Sequence, residues 1–436
     1  MVRTLWKYPA VLARLHESLR QRGRNDAMEG EETSDRRASA ARLEDRLRDR
    51  RNNFDVLRLL AASFVLFSHS YALAGHAEPF ADVSGWTFGE IGVVMFFAMS
   101  GFLIAKSWGE QPRLRPFAAK RGLRLLPALV VAVSVTVFVI GPLFTVLPLT
   151  SYFADPTTWL YLVRCCFLIT FFGTLPGVFE TNPYPDAVNG SLWTLPVEAC
   201  CYAMAAALGS LGLLRRSGVL AAFGCLLVLC VTPLSPFSIA PAGGTTGGNL
   251  PLVIMLGATF VLGSLAYSVR ARLHLSWIIL AALMVLWIAT WGGGWARATG
   301  VLAIAFAVLV LAFRTPAWLR RLTAPGDVSY GIYVYAFPVQ QSLAAIWGPG
   351  LSPLVMMAIA FPVTYGLAFL SWRLVERPAL ALKRVVAPRP AKAAPLVESG
   401  TGVHNPDGSR SEGAGPGLLG EAALRGRAHG NRRGDA

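Results

Sequence analysis

Apolar runs of membrane-spanning length follow one another from residue 54 to residue 371, separated by short polar stretches. Runs near 54–73, 89–107, 123–141, 192–213, 218–234, 250–268, 275–292, 298–314, 328–347 and 352–371 each approach the roughly 17–25 residues with which a helix crosses a bilayer. An eleventh lies at 159–175. The pattern predicts an all-α polytopic integral membrane protein with about ten transmembrane helices. Before it, residues 1–53 are polar, rich in Arg and acids, and include the helix-prone run ARLEDRLRDRR. They read as a cytoplasmic extension, with that run as an amphipathic helix against the membrane surface. Residues 54–380 form the transmembrane domain. Residues 381–436 read as a basic cytoplasmic tail, which from 387 onward is rich in Pro, Ala, Gly and Arg and is expected to be disordered. No internal repeat is visible. A cleaved leader is not expected, because Ala72-Leu73-Ala74 follows an overlong polar region and an apolar core holding an arginine.

Charge decides the path through the membrane. Cationic clusters occur at Arg50/Arg51, Arg113 to Arg124, Arg215/Arg216, Arg270/Arg272, Arg314 to Arg321 and Arg373 to Arg384. The loops at 74–88, 142–158, 176–191, 235–249 and 348–351 carry no Lys or Arg. If 159–175 does not cross, the clusters fall on one side and the bare loops on the other, as the positive-inside rule requires. That segment is then an extracytoplasmic re-entrant or interfacial piece, and both termini are cytoplasmic. Arg164 and the break at Thr174-Leu175-Pro176-Gly177 suit the role.

Composition excludes other classes. Of 436 residues, 54% are hydrophobic and 15% charged, against about 25% charged in a soluble domain. The net charge of +15 belongs to cytoplasmic loops and tails, and nucleic-acid binding is not expected, since no basic stretch outside the membrane has interleaved aromatics. The six cysteines (165, 166, 200, 201, 225 and 230) lack zinc-ligand spacing, sit in apolar surroundings and read as small hydrophobic fillers. No metal is expected.

Candidate chemistry starts in the first run, FDVLRLLAASFVLFSHSY. Ionisable side chains at membrane depth are expensive and mark function. Arg58 and His69 are eleven positions apart, which leaves about 20° between them around a helix and about 16 Å along it. One face therefore carries a cation near its cytoplasmic end and an imidazole towards the other. In the first cytoplasmic connection, Lys120, Arg121 and Arg124 crowd the start of the third helix, the two arginines on neighbouring helical positions. Guanidinium groups suit bidentate phosphate recognition, and with Arg58 they would form a polyphosphate site; the plainer reading is a topology signal. Glu198, inside the apolar SLWTLPVEACCYA, is either functional or a structural hydrogen-bonding group. Gly92, Ser100 and Gly101 in GEIGVVMFFAMSGFLIAKSW mark close helix packing, with Ser100 a weaker site candidate.

Taken in order, these stretches resemble the acyltransferase family 3 membrane proteins, which O-acylate bacterial glycans and some natural products. The family's Arg-(ten residues)-His signature falls on Arg58 and His69, and its Arg-x-x-Arg motif on Arg121 and Arg124. FFAMSGFLI matches its aromatic-Gly stretch ending in Ser-Gly-Phe. WTLPVEACCY carries Trp193 and Glu198 of a Trp-x-Leu-x-x-Glu pattern, DVSYGIYVYAFP matches Ser-Tyr-x-Ile-Tyr, and Glu376-Arg377-Pro378 matches Glu-x-Pro. Two positions depart: Val94, where many members have aspartate, and Ala336, where many have histidine. The hydrolase-like domain fused to some members is not seen.

The resemblance implies a bacterial inner-membrane enzyme that takes acetyl-CoA, or another acyl-CoA, as donor and a hydroxyl of a glycan or small molecule as acceptor, among membrane lipid. His69, Arg58 and Glu198 are then the expected catalytic residues, with His69 as general base. Arg58, Arg121, Arg124 and Lys120 are expected to hold the donor. Transfer is completed by this chain or passed to a partner extracytoplasmic transferase. Aromatics and amides in the bare loops, among them Trp86, Tyr152, Asn182, Tyr184, Asn189, Trp291 and Trp295, fit a sugar-binding surface or an interfacial belt. The rival reading is a transporter or flippase of a lipid-linked glycan, with Arg58, His69 and Glu198 as a proton relay.

Overall fold

A peptide group in hydrocarbon has no water to bond, so each crossing segment satisfies its own backbone, and helices do this. The computed structural model describes residues 42–48, 52–169, 173–185, 187–234 and 250–386, and among these no strand forms. All ten expected runs are helical. In chain order they are α1 (Phe54–Leu73), α2 (Phe88–Glu110), α3 (Leu114–Val135), α4 (Thr194–Ser210), α5 (Ser217–Leu229), α6 (Leu250–Ser268), α7 (Trp277–Ala289), α8 (Ala296–Arg314), α9 (Ser329–Trp347) and α10 (Pro353–Ser371). A π turn at Thr136–Ile140 prolongs α3, and another at Trp372–Glu376 prolongs α10.

Among the described residues, seven helices are long and apolar enough to cross a membrane: α1 to α4, α6, α8 and α10, with their adjoining turns. The chain is therefore a multi-pass membrane protein. Three of the ten expected runs, α5, α7 and α9, fall outside this set by length or composition. Helices α5 and α7 have 13 residues each, a rise of about 20 Å where the hydrocarbon core is about 30 Å. Local chemistry sets the ends of α7: the Ser276 side chain accepts from the Ile278 and Ile279 N–H groups, and a glycine run follows in which Gly292 takes φ +71°. Helix α9 has 19 residues but is more polar, with Tyr330, Tyr333, Tyr335, Gln340 and Gln341 along it.

Protein surrounds those polar groups. Helix α9 packs between α1 and α10 and is buried almost continuously from Ser329 to Gln341. Gln340 Nε2 donates to the Leu66 carbonyl (2.8 Å) and to Ser70 Oγ (2.7 Å) on α1. Gln341 Nε2 donates to the carbonyls of Tyr184 (2.8 Å) and Ala187 (2.7 Å), and its Oε1 accepts from Asn182 (2.7 Å). Asn189 Nδ2 reaches the Val334 carbonyl at 2.9 Å. The bare loop ahead of α4 is thus pinned across α9 by side-chain amides.

Two glycines set the crossing of α2 over α6. A Cβ on Gly101 would lie 1.9 Å from the Phe260 carbonyl oxygen, and one on Gly263 would lie 2.3 Å from that of Ala98. Backbone meets backbone there, which only glycine permits.

The segment expected not to cross forms a helix over Pro156–Cys166, eleven residues long and about half a bilayer core in length. Thr158, Tyr161 and Cys165 face inward, while Trp159, Leu160 and Val163 are exposed. Tyr152, fully buried just before it, donates to the Val137 carbonyl within the π turn of α3 (2.9 Å). Most of the N-terminal extension and of the tail lies outside the described residues. Within ARLEDRLRDRR, Leu43–Arg48 is helical and its first N–H groups bond the Leu273 (3.0 Å) and Arg270 (3.2 Å) carbonyls. Beyond α10 the chain stays helical through Arg377–Ala381 and Lys383–Val386, against α3.

Gly101→Ala is expected to cost roughly 1–3 kcal/mol as overpacking between fixed backbones, read as a lower unfolding temperature in detergent. Gly257→Ala, where nothing lies within 4 Å of the added methyl, should leave that temperature unchanged. For orientation, single cysteines at Asp82 and Glu180 of a cysteine-free background should label with a membrane-impermeant reagent from outside, and one at Arg216 only from the cytoplasm. Labelling of Asp82 and Glu180 from opposite sides would break the topology.

Candidate active site

The cationic ends of α1 and α3 meet at one carboxylate. Arg58 lies just inside the first turns of α1 and Arg124 ten residues into α3; both side chains are about one-fifth exposed. Asp327, two residues ahead of α9, takes Arg124 Nη2 at 2.5 Å and Arg58 Nη1 at 3.2 Å on a single oxygen, Oδ2. Its other oxygen accepts from the Ser329 hydroxyl (2.5 Å) and N–H (3.4 Å) at the start of α9. Arg58 also donates to the more exposed Asp55 at 2.5 Å. Arg124 reaches Glu376 at 3.5 Å, in the π turn after α10, and lies over the Tyr330 ring. Burial alone would raise the Asp327 pKa; the Arg124 and Arg58 charges and the Ser329 bonds outweigh it and bring the group down to about 2.

A cavity of about 110 Å³ opens beside this cluster, between α1, α2, α3, α4 and α9. Arg58, Arg121 and Arg124 line its charged end, and Val93, Phe96 and Leu103 are among its apolar walls. Deeper polar groups come from α2 and α4. Tyr202, one turn beyond Glu198, donates to Glu198 Oε1, and Ser100 donates to the same oxygen at 3.2 Å. Arg121 sits over the Tyr202 ring, 5.9 Å from its centroid. Among the described residues Arg121 makes no hydrogen bond or ion pair, and its buried Nε has no partner. The cavity therefore combines one unneutralised guanidinium, two neutralised ones and a hydroxyl-bound carboxylate in a narrow, largely apolar space.

Of the sequence-derived residues, the fold brings Arg58, Arg121, Arg124, Glu198 and the weaker candidate Ser100 together on this cavity. Lys120 is not in its lining and donates to Gln111 at 2.5 Å. His69 does not line it either. It lies farther along α1, its ring edge-on to Phe337 at 5.0 Å, and Phe337 meets Tyr184 of the pinned loop at 6.2 Å. Its buried Nδ1 has no hydrogen-bond partner. Val94 and Ala336 are buried among apolar side chains. Sequence reasoning gave no role to Asp327, Tyr202 or Glu376. Asp327 is the one acid between Arg314 and α9, and Tyr202 stands four residues from Glu198, a spacing that pairs side chains on a helix.

A family profile described as an acyltransferase domain matches residues 51–373. The chain is 31% identical over 369 residues to Nodulation protein 10 of Rhizobium leguminosarum bv. viciae, covering 78% of this chain and 96% of that protein. It is 39% identical over 153 residues to the O-acetyl transferase of Shigella phage Sf6, covering 35% of this chain and 44% of the phage protein. The match thus spans less than half the phage relative's length. No solved structure matches.

Asp327→Asn should cost roughly 3 kcal/mol or more of stability, because two part-buried guanidiniums lose their shared anion. A carboxylate whose folded pKa is depressed stabilises above its unfolded value, about 3.9, and loses that contribution as pH falls through about 2. The part of the stability gap between wild type and Asp327→Asn that the Asp327 charge itself carries should therefore persist at pH 5 and above and be lost only below about pH 4, with Glu376, which shares Arg124, titrating separately. Unfolding temperatures across pH would show it.

Proposed function

The chain belongs to the acyltransferase family 3 of membrane proteins, and from that premise we propose that it moves an acetyl or other short acyl group from acyl-CoA to a hydroxyl of a glycan or related acceptor. The supporting observation is the convergence of Arg58, Arg121 and Arg124 on one narrow cavity that starts at the cytoplasmic ends of α1 and α3. Such a shape suits a donor with phosphates at one end and a thin, uncharged arm leading to its thioester. Arg121, with its unpartnered Nε, offers the free charge for a phosphate. Arg58 and Arg124, held by Asp327, form the fixed wall beside it, and Lys120 adds positive potential nearby. The phage relative's name, O-acetyl transferase, agrees with acetyl as the group moved.

His69 is the proposed general base. A hydroxyl is a poor nucleophile until its proton is being removed, and an imidazole removes it near neutral pH. As the acceptor oxygen bonds to the thioester carbonyl carbon, its proton passes to His69. The carbon–sulfur bond breaks, and the proton returns from His69 to the leaving thiolate, which restores the imidazole. An Nδ1 without a partner leaves that nitrogen free for this exchange. Glu198, bonded by Ser100 and Tyr202, fixes the Tyr202 ring over which Arg121 lies. The rival relay through Arg58, His69 and Glu198 lacks a hydrogen-bonded path, since among the described residues none of the bonds of Arg58 or Glu198 reaches His69.

Purified protein should consume acetyl-CoA in the presence of an acceptor. His69→Gln should lower that rate by about 10²–10⁴-fold with acyl-CoA affinity unchanged. Arg121→Ala should instead weaken acyl-CoA binding by about tenfold or more, and Arg121→Lys should recover only part of it, because an ammonium lacks the planar fork. A folded His69→Gln protein that transfers at the wild-type rate would remove the base, and unchanged affinity in Arg121→Ala would remove the donor site.

A further inference from the structure

The three arginines of the cavity are not equivalent as anion receptors. Asp327 already neutralises Arg58 and Arg124, and Glu376 lies 3.5 Å from the latter. A donor phosphate meeting only those two would have to displace a buried carboxylate with four bonds of its own. Arg121 is unpaired, but one guanidinium is a thin site for a polyanion. The structure places a further cation close by.

Lys383 opens the short helix Lys383–Val386, which packs against α3, the helix that carries Lys120, Arg121 and Arg124. The side chain is part-buried and has no ion pair or hydrogen bond among the described residues. Burial and the facing charges of Arg121, Arg124, Lys120 and Arg58 bring its pKa down to about 8. Lysines are seldom held among four other cations, part-buried and without an anion, unless an anion arrives from elsewhere. Its position also fits the nucleotide end of a donor: it lies past the end of α10 and outside the cavity lining, while Arg121 lines the cavity beside Tyr202. The residue stands ten positions beyond the region matched by the family profile, which ends at 373.

We propose that Lys383 and Arg121 together bind a phosphate group of the acyl-CoA donor at the cytoplasmic rim, with Lys383 as a donor-binding residue contributed by the C-terminal segment. The inference rests on the acyl-CoA reading given above. Asp327 holds Arg58 and Arg124 as a fixed framework, and the Arg121–Lys383 pair is the part that meets the ligand.

The test is binding of CoA to the full-length protein in detergent, by calorimetry, for wild type, Lys383→Ala and Lys383→Arg, with the ligand-free unfolding temperature of each. Lys383→Ala should weaken CoA about tenfold, Lys383→Arg should restore most of the affinity, and all three should unfold alike without ligand. Equal CoA affinity in wild type and Lys383→Ala would overturn the assignment and leave the donor reading intact. So would an alanine variant that binds weakly only because its ligand-free unfolding temperature has dropped. Wild-type protein that binds no CoA would overturn the donor reading, and this inference with it.

Discussion

One carboxylate, Asp327, holds α1, α3 and the start of α9 in register. Without it, Arg58 on α1 and Arg124 on α3 would be two like charges, both mostly buried, facing one another. With it, three segments from distant parts of the chain are locked at one point, and the Ser329 bonds fix where α9 begins. Replacing such a cluster with apolar side chains can cost a protein nothing in stability, while removing one member is expensive. Its value here is therefore geometric. It fixes Arg58, Arg124 and Ser329, three of the residues that line the cavity.

Much of this arrangement was readable from spacing. The shared face of Arg58 and His69 follows from helical periodicity, and the proximity of Arg121 to Arg124 from a three-residue step. The glycines of α2 marked the close crossing, and α6 supplied its half of it through Gly263. The pattern of bare and basic loops pointed away from a crossing at 159–175, where the fold forms a helix of eleven residues, Pro156–Cys166. What spacing could not give were contacts closed by the tertiary fold. Asp327 lies 269 residues from Arg58 and 203 from Arg124, and a lone acid in a basic loop has no local partner to betray it. Lys383 was hidden for the opposite reason: in a run of tail charges, nothing local set it apart.

The same limit applies to His69. Its spacing from Arg58 places it on the right face but says nothing about what separates the two along that face. In the fold, the arginines line a cavity between α1, α2, α3, α4 and α9, while the imidazole stands against Phe337, which meets Tyr184 of the loop pinned by Gln341 and Asn182. The arginines and the imidazole are held by different sets of contacts. One set is ionic. The other is built from aromatic edges and amide bonds.

The polarity of α9 bears on how the protein is made. A helix with two adjacent glutamines and three tyrosines is a poor candidate for partitioning into lipid alone. The side-chain amide N–H groups of Gln340 and Gln341 donate to Leu66 and Ser70 of α1 and to the loop before α4, all synthesised long before α9. The first helix thus supplies acceptors that α9 uses, and α9 is suited to enter the bilayer as a partner to helices already there. Substitutions at Ser70 would then be felt as failed insertion at the ribosome exit, well before any question of catalysis arises.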